Sequence, residues 1–223
     1  MNIIVLHGDN TYQSYKRLSV FIDEAKNRSW SVVKIDKYDK NLSTKARTSD
    51  LFTQRLFIVY GIKILSDKDK KWIHDDSVET EGTLIVYEKG LLNKTNQKYL
   101  PNDAKYEKFE LPKIIFKFLE SFYPSNSKEC LKYLKMVTDT SPVEFIFSLL
   151  SSHIRDLYWV KEEPSKIPYP SWRVSKLEIQ ADKFTKSHIK DIIGKLSDID
   201  IKVKTSKTTL IESLDLLILR ELE

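Results

Sequence analysis

Apolar and polar residues in the first half of the chain form blocks that predict strands and helices in alternation. Short apolar runs of strand type lie at Asn2–Leu6, Ser31–Ile35, Leu56–Tyr60 and Thr83–Tyr87, and Lys105–Phe109 is the candidate for a short final strand. Leu56–Tyr60 and Thr83–Tyr87 are apolar at nearly every position, which is typical of parallel strands that are covered on both faces.

Segments with apolar residues at helical spacing separate these runs. They are Tyr12–Asn27 with Thr11 as its N-cap, Thr44–Phe52, Asp67–His74 with Ser66 as its cap, and Leu91–Leu100. Strands that alternate with helices in this way predict an α/β fold, with an open, mainly parallel sheet and helices on both sides.

The pattern changes to a helical one from Leu111 onward. Helical spacing covers Leu111–Phe122, Ser127–Val137, Val143–Val160, Ser171–Phe184, Ser187–Lys204 and Thr208–Leu222, with a proline-rich break at Glu163–Pro170. The one strand signal in this half is a weak one at Ile199–Val203. We therefore predict two domains, an α/β domain over 1–109 and a helical domain over 110–223.

Charge and cysteine content narrow the class of protein. The 223 residues carry 37 Lys and Arg against 32 Asp and Glu, a net charge of +5, and only seven of the cations are Arg. Because arginine is the side chain that reads guanine edges, any contact with nucleic acid is expected at phosphate. The single cysteine, Cys130, and the lack of an apolar run of about 18 residues predict a cytoplasmic protein with no membrane span.

The residues after the first strand do not have the sequence of a phosphate-binding loop. The segment Leu6–Arg17 has one glycine, Gly8, lacks Gly-Lys-Ser/Thr, and places Asp9 where it would repel an anion. The four histidines have no metal-ligand spacing, and Cys130 lies on an apolar helix face, where packing is its expected role. The expectation is a binding protein that hydrolyses no ATP and needs no cofactor or metal.

A series of short motifs runs through both halves of the chain. They are Ile4-Val5-Leu6-His7-Gly8-Asp9-Asn10, Ser49-Asp50-Leu51-Phe52 leading into Leu56, Ser141-Pro142 through Val160-Lys161, Pro170 through Gln180-Ala181-Asp182-Lys183-Phe184, and Asp198 through Lys204-Thr205. In this order they resemble the delta subunit of the bacterial DNA polymerase III clamp loader, a member of the AAA+ clamp-loader family. The resemblance covers nearly the whole chain.

This resemblance implies a degenerate AAA+-like domain followed by a helical collar, which joins other clamp-loader subunits in a hetero-pentamer around primed DNA. It also implies that Leu51 and Phe52 correspond to the pair that enters a hydrophobic pocket of the sliding clamp. The family's small lid domain is missing, since Lys105–Phe109 leads almost directly into the first collar helix. Within such a DNA polymerase holoenzyme, the chain is expected to be a non-catalytic subunit that helps to open the clamp during replication.

The proposed contacts have alternatives on the residues alone. Leu51 and Phe52 are either the clamp anchor or the start of the apolar core of the next strand. The candidate DNA contacts are Lys183, Lys186 and Lys190 on one predicted helix face, and Trp172 and Arg173 in the proline-rich loop. For these five the alternatives are a solvated face and packing. The alternative function is that of a mildly basic DNA-binding accessory protein that contacts no clamp.

Overall fold

The computed structural model describes residues 1–37, 41–48, 54–75 and 81–223. They divide into two compact units, Met1–Leu111 and Pro112–Glu223. Each unit has its own buried core.

A parallel sheet forms the centre of the first unit. Its strands are β1 (Asn2–His7), β2 (Ser31–Ile35), β3 (Arg55–Tyr60), β4 (Thr83–Tyr87) and β5 (Lys105–Lys108). They lie in the order β2-β3-β4-β1-β5, and every neighbouring pair is parallel. The predicted class, an α/β fold with an open parallel sheet followed by a helical region, is confirmed.

Helices cover both faces of this sheet. They are α1 (Thr11–Asn27), α2 (Leu42–Arg47), α3 (Asp67–Asp75) and the short α4 (Lys94–Gln97), with a 3-10 turn at Ile62–Ile64. The connection from β1 to β2 runs in one direction across the sheet, and the later connections run in the other. Because crossovers between parallel strands are right-handed, α1 lies on one face and the later connections lie on the opposite face.

The two faces have separate apolar cores. On the α1 face, Leu18 and Ala25 of α1 pack on Ile4, Leu6, Leu56, Ile58, Ile85 and Tyr87 of the sheet. On the opposite face, which we call the α3 face, Leu42 and Ala46 of α2 and Trp72 and Ile73 of α3 pack on Ile3, Val5, Ile35, Phe57, Val59, Leu84 and Val86. Strands β3 and β4 are therefore buried on both sides, as their apolar runs predict.

The second unit is helical throughout. Its helices are α5 (Lys113–Ser121), α6 (Ser127–Thr138), α7 (Val143–Glu162), α8 (Ser171–Ala181), α9 (Lys186–Lys204) and α10 (Leu210–Leu222), with a 3-10 turn at Pro164–Lys166. Helix α7 is central, because it contacts α5, α6, α8, α9 and α10. Its inner side chains Ile146, Leu150, Ile154 and Leu157 are fully buried. Within the described residues, no helix is long and apolar enough to span a membrane.

Cys130 of α6 is a packing residue, as the sequence predicts. Its side chain is fully buried, and burial raises the pKa of its thiol to about 12. A thiol with that pKa is almost entirely protonated at neutral pH, so it is a poor nucleophile.

Three sequence predictions about local structure are wrong. Ile199–Val203 is helical and continues α9, where Thr205 N–H donates to Ile201 C=O; the apolar period of the helix overrides the β-branched residues. Helix α1 is capped by Asn10 rather than Thr11, because Asn10 Oδ1 accepts from Gln13 N–H at 3.1 Å. The predicted helix Leu91–Leu100 is reduced to α4.

A substitution at Gly194 tests how much the low helix propensity of this glycine reduces the stability of α9. A Cβ at this position would meet no atom within 4 Å, and a glycine inside a helix costs about 0.5–1 kcal/mol relative to alanine. We expect Gly194→Ala to raise the free energy of unfolding of the helical unit by that amount in urea titrations followed by circular dichroism. Gly90→Ala is the control, because it also has open space but a φ of +110°, and it should destabilise the first unit. A less stable Gly194→Ala protein would contradict the prediction.

Candidate functional site

The predicted clamp-binding pair, Leu51 and Phe52, lies outside the described residues, within 49–53. The structure describes the chain on either side of 49–53. Helix α2 and Thr48 come before the stretch, and Gln54 and β3 come after it. The site is therefore defined by its two flanks.

The first flank is fixed to the body of the unit through α2. Leu42 and Ala46 are buried in the core of the α3 face. The backbone N–H of Ser43 donates to Asp69 Oδ1 of α3 at 2.9 Å. Asp69 is only 3% exposed, and its Oδ2 accepts from the Ser66 hydroxyl at 2.8 Å. A carboxylate buried among donors in this way joins α2 to the first turn of α3.

The second flank, the start of β3, is tied to the first. The Arg55 guanidinium donates to the C=O of Lys45 in α2 at 2.9 Å. Gln54 C=O accepts from Ser31 N–H at 3.0 Å, and a Cβ on Gly82 would lie 2.8 Å from the Arg55 carbonyl oxygen. The chain that leads into 49–53 and the chain that leaves it are therefore held together.

A groove lies beside the first flank. Its volume is about 250 Å³, and it is lined by Ser43, Thr44, Arg47, Thr48 and Lys68. These residues carry three hydroxyl groups and two cationic side chains, and Thr48 directly precedes the 49–53 stretch. The groove at the end of α2 is thus lined by residues that carry hydroxyl and cationic groups.

The loop after β1, where many α/β folds bind phosphate, closes on its own chain. Asn10 N–H donates to Phe109 C=O at 3.0 Å, and Leu111 N–H donates to Asp9 Oδ1 at 2.8 Å. A Cβ on Gly8 would lie 2.0 Å from the Phe109 carbonyl oxygen. The backbone approach is close, and the Asn10 N–H, which a phosphate-binding loop would direct at its ligand, is taken up by the Phe109 carbonyl.

Two of the three candidate lysines have partners inside the helical unit. Lys183 lies in the turn after α8 rather than on a shared helix face, and its Nζ is 3.4 Å from the centre of the Tyr123 ring. Lys186, the first residue of α9, pairs with Glu162 at 2.5 Å. Lys190 is exposed one turn further along α9. The structure places Lys186 and Lys190 on one face of α9, whereas Lys183 packs on the Tyr123 ring within the helical unit.

Trp172 and Arg173 lie in the first turn of α8, not in the proline-rich loop. Trp172 is 65% exposed. The Arg173 guanidinium stacks on the Tyr169 ring at 3.7 Å and lies 3.4 Å from Asp156 Oδ2. Asp156 is buried and also accepts from the Tyr169 hydroxyl at 3.0 Å. Arg173 therefore balances a buried charge, while Trp172 remains open to solvent.

A polar network around Gln180 has no counterpart among the sequence predictions. The Gln180 amide donates to the C=O groups of Leu119 and Phe122 at 2.8 and 2.9 Å, which caps the end of α5. Its Oε1 lies 2.9 Å from His153 Nε2. Polar residues on the apolar sides of α7 and α8 are the signal that could have revealed this network. Among the residues that the structure describes, no three acidic, His or Cys side chains are grouped as metal ligands.

No protein-family model matches this sequence, and no curated protein is significantly similar to it. Among solved structures, the chain is similar to the DNA clamp loader delta protein of Bacillus subtilis. The identity is 16%, the match covers 99% of this chain and 95% of that one, and the TM-score is 0.47.

Two further structures extend this comparison. A DNA polymerase III gamma subunit-related protein from Thermotoga maritima is 15% identical, with 99% of this chain and 93% of that one covered and a TM-score of 0.33. In the structure of Drosophila ORC bound to poly(dA/dT) DNA and Cdc6, a chain is 12% identical over 89% of this chain and 46% of that one, with a TM-score of 0.32. A clamp-loader delta protein is thus among the structures similar to this chain, as the motifs predict; at such identities the likeness concerns the fold alone.

The close approach at Gly8 predicts a large loss of stability on substitution. Gly8→Ala places a methyl group against the Phe109 carbonyl at a φ of +134°, and we expect the first unit to lose about 3–5 kcal/mol. Gly90→Ala is the matched control, because Gly90 C=O accepts from Gly8 N–H and its φ is also positive, but its Cβ would meet no atom within 4 Å. It should lose about 1–2 kcal/mol. Equal losses in urea titrations would contradict the prediction.

His153 predicts that the helical unit loses stability in mild acid. Its pKa in the folded protein lies below the ordinary value of 6.5, chiefly because burial disfavours the imidazolium. The unfolded chain therefore binds the proton first, so this contribution is complete above the unfolded pKa and is lost as the pH falls below it. We expect the urea midpoint to fall more between about pH 7.5 and pH 5.5 in the wild type than in His153→Gln. His74→Gln, in the first unit, is the control, and an equal fall in wild type and His153→Gln would count against the prediction.

Proposed function

We propose that this protein is a non-catalytic clamp-loader subunit that binds a DNA sliding clamp through Leu51 and Phe52. The observation that carries the proposal is the pair of held flanks around 49–53. A short apolar anchor contributes most to binding when the chain on both sides is already ordered, because less conformational entropy is lost on association. Asp69 orders the flank before the pair, and Arg55 orders the flank after it.

The loop after β1 supports a role without ATP hydrolysis by this chain. Asn10 N–H donates to Phe109 C=O and Asp9 accepts from Leu111 N–H, so these groups of the loop are engaged within the chain rather than open to a phosphate. The control of clamp binding by ATP would then come from neighbouring subunits that bind the nucleotide. This chain would contribute the contact with the clamp.

The helical unit is the proposed collar, through which the chain joins other clamp-loader subunits. Ile211, Leu216 and Leu219 of α10 are 37%, 50% and 36% exposed. They lie along the outer side of a helix whose inner side is buried. Exposed apolar side chains that alternate with charged ones, here Glu212 and Asp215, are suited to packing against a helix of another subunit. Primed DNA would lie within the complete complex, with Lys190 and Trp172 as candidate contacts.

Clamp binding should depend on the two anchor residues. We expect the double variant Leu51→Ala/Phe52→Ala to bind the sliding clamp of the same organism at least about thirtyfold more weakly, which is the loss typical of a buried apolar anchor. The measurement is the Kd from surface plasmon resonance on immobilised clamp. Leu91→Ala is the matched control, because Leu91 is a large apolar residue of the same unit that is 61% exposed; it should bind like the wild type.

Three results would contradict this proposal. The wild-type chain could show no affinity for the clamp, the double variant could bind as well as the wild type, or Leu91→Ala could lose as much affinity as the double variant. Circular dichroism of each variant verifies that the fold is intact. Tight, salt-dependent binding to primed DNA without any clamp binding would favour the alternative, a DNA-binding accessory protein.

A further inference from the structure

Three tyrosine rings meet on the α1 face, at the carboxyl end of the sheet. Tyr60 is the last residue of β3 and Tyr87 is the last residue of β4. The Tyr87 ring lies 6.1 Å from the Tyr60 ring and 6.1 Å from the Tyr15 ring of α1, with interplanar angles of 75° and 72°. These are edge-to-face contacts.

The outer part of this cluster is open to solvent. Tyr15 is 55% exposed, and Tyr12, one turn earlier on the same helix, is 37% exposed. Tyr87 is buried, and Tyr60 is half-buried. We call Tyr12, Tyr15, Tyr60 and Tyr87 the tyrosine patch. Tyr60 and Tyr87 of this patch belong to the sheet, and Tyr12 and Tyr15 are exposed on α1.

Cationic side chains border the tyrosine patch. Lys16 follows Tyr15, and Lys34 of β2 is in register with Ile58, two residues before Tyr60 and on the same face of the sheet. Both are exposed, and within the described part of the chain neither has an ion-pair partner. A third cation, Arg17, is held by Glu107 at 2.8 Å.

The acidic groups near the patch are few. Glu107 is neutralised by Arg17, and Glu88, which follows Tyr87, accepts from Ile62 N–H at 3.0 Å. Burial raises the pKa of the Tyr60 phenol, and the negative charge of Asp36 at the sheet edge adds to that rise. Lys16 and Lys34 contribute exposed ammonium groups at this border.

We propose that the tyrosine patch binds single-stranded nucleic acid, with a base stacked on Tyr15 and backbone phosphates beside Lys16 and Lys34. Open aromatic faces bind bases of any sequence, and unpaired lysines bind phosphate. The tyrosine patch offers both aromatic rings and lysines. Single-stranded nucleic acid would use both, whereas an acidic protein surface would use only the lysines. This site goes beyond clamp binding, and it lies at the other end of β3 from 49–53, since Arg55 begins the strand and Tyr60 ends it.

The test uses the full chain and a fluorescein-labelled twelve-nucleotide oligothymidylate, with binding followed by anisotropy at low salt. Tyr15→Ala should weaken binding about tenfold, as expected for the loss of one stacked base, and Tyr15→Phe should keep the wild-type affinity. Tyr106→Ala is the matched control, because Tyr106 is 37% exposed in the same unit but packs against His7 away from the patch. It should bind like the wild type.

A salt titration tests the lysines separately. When one lysine no longer neutralises a phosphate of a single strand, the slope of log K against log salt becomes shallower by about 0.7. Lys16→Ala and Lys34→Ala should each show this reduction. Lys26→Ala is the control for charge, because Lys26 is exposed at the opposite end of α1, and it should leave the slope close to that of the wild type.

Three outcomes would overturn the proposal. One is an absence of binding to the oligonucleotide at low salt. Another is an equal loss of affinity in Tyr15→Ala and Tyr106→Ala. The third is displacement of the oligonucleotide by polyglutamate at the same charge concentration, which would identify the patch as a site for acidic proteins. Because Tyr15 is more than half exposed, Tyr15→Ala is expected to fold, and circular dichroism verifies this.

Discussion

The right-handed crossover between parallel strands is the constraint on which the first unit depends. It places α1 alone on one face of the sheet and α2 and α3 on the other. The α3 face thereby carries α2, the helix that precedes 49–53 in the chain. The α1 face is covered by one long helix, and the tyrosine patch lies at the carboxyl end of that face, where Tyr15 is exposed. The two proposed sites are consequences of the same topology.

Within each unit, buried polar groups fix the positions of neighbouring helices and turns relative to one another. Asp69 joins α2 to α3, Gln180 closes the end of α5 on α8, and Asp156 is satisfied by Tyr169 and Arg173. Each group is buried with its partners in place, so removal of all the partners of one group would leave a buried polar atom without a hydrogen bond. These contacts set positions that the apolar cores alone would leave variable.

Much of the fold follows from the sequence because its signals are local. The apolar runs of β3 and β4 and the helical period of α7 mark strands and helices within a short window. Candidate site residues were harder to assign. Lys183 and Arg173 have the composition of a nucleic-acid surface, yet they lie against Tyr123 and Tyr169. Whether a cationic side chain is available to bind nucleic acid depends on neighbours that are distant in sequence.

The sequence by itself determined the two halves of the chain, the strand and helix periods, the burial of Cys130 and the lack of a glycine-rich loop after β1. Each of these depends on residues within a few positions of one another. Only the tertiary structure decided that Phe109 closes the loop at Gly8, that Arg55 ties β3 to α2, and that Tyr15 meets Tyr87. Those contacts join residues that strand order brings together, and strand order is set by the packing of the whole sheet.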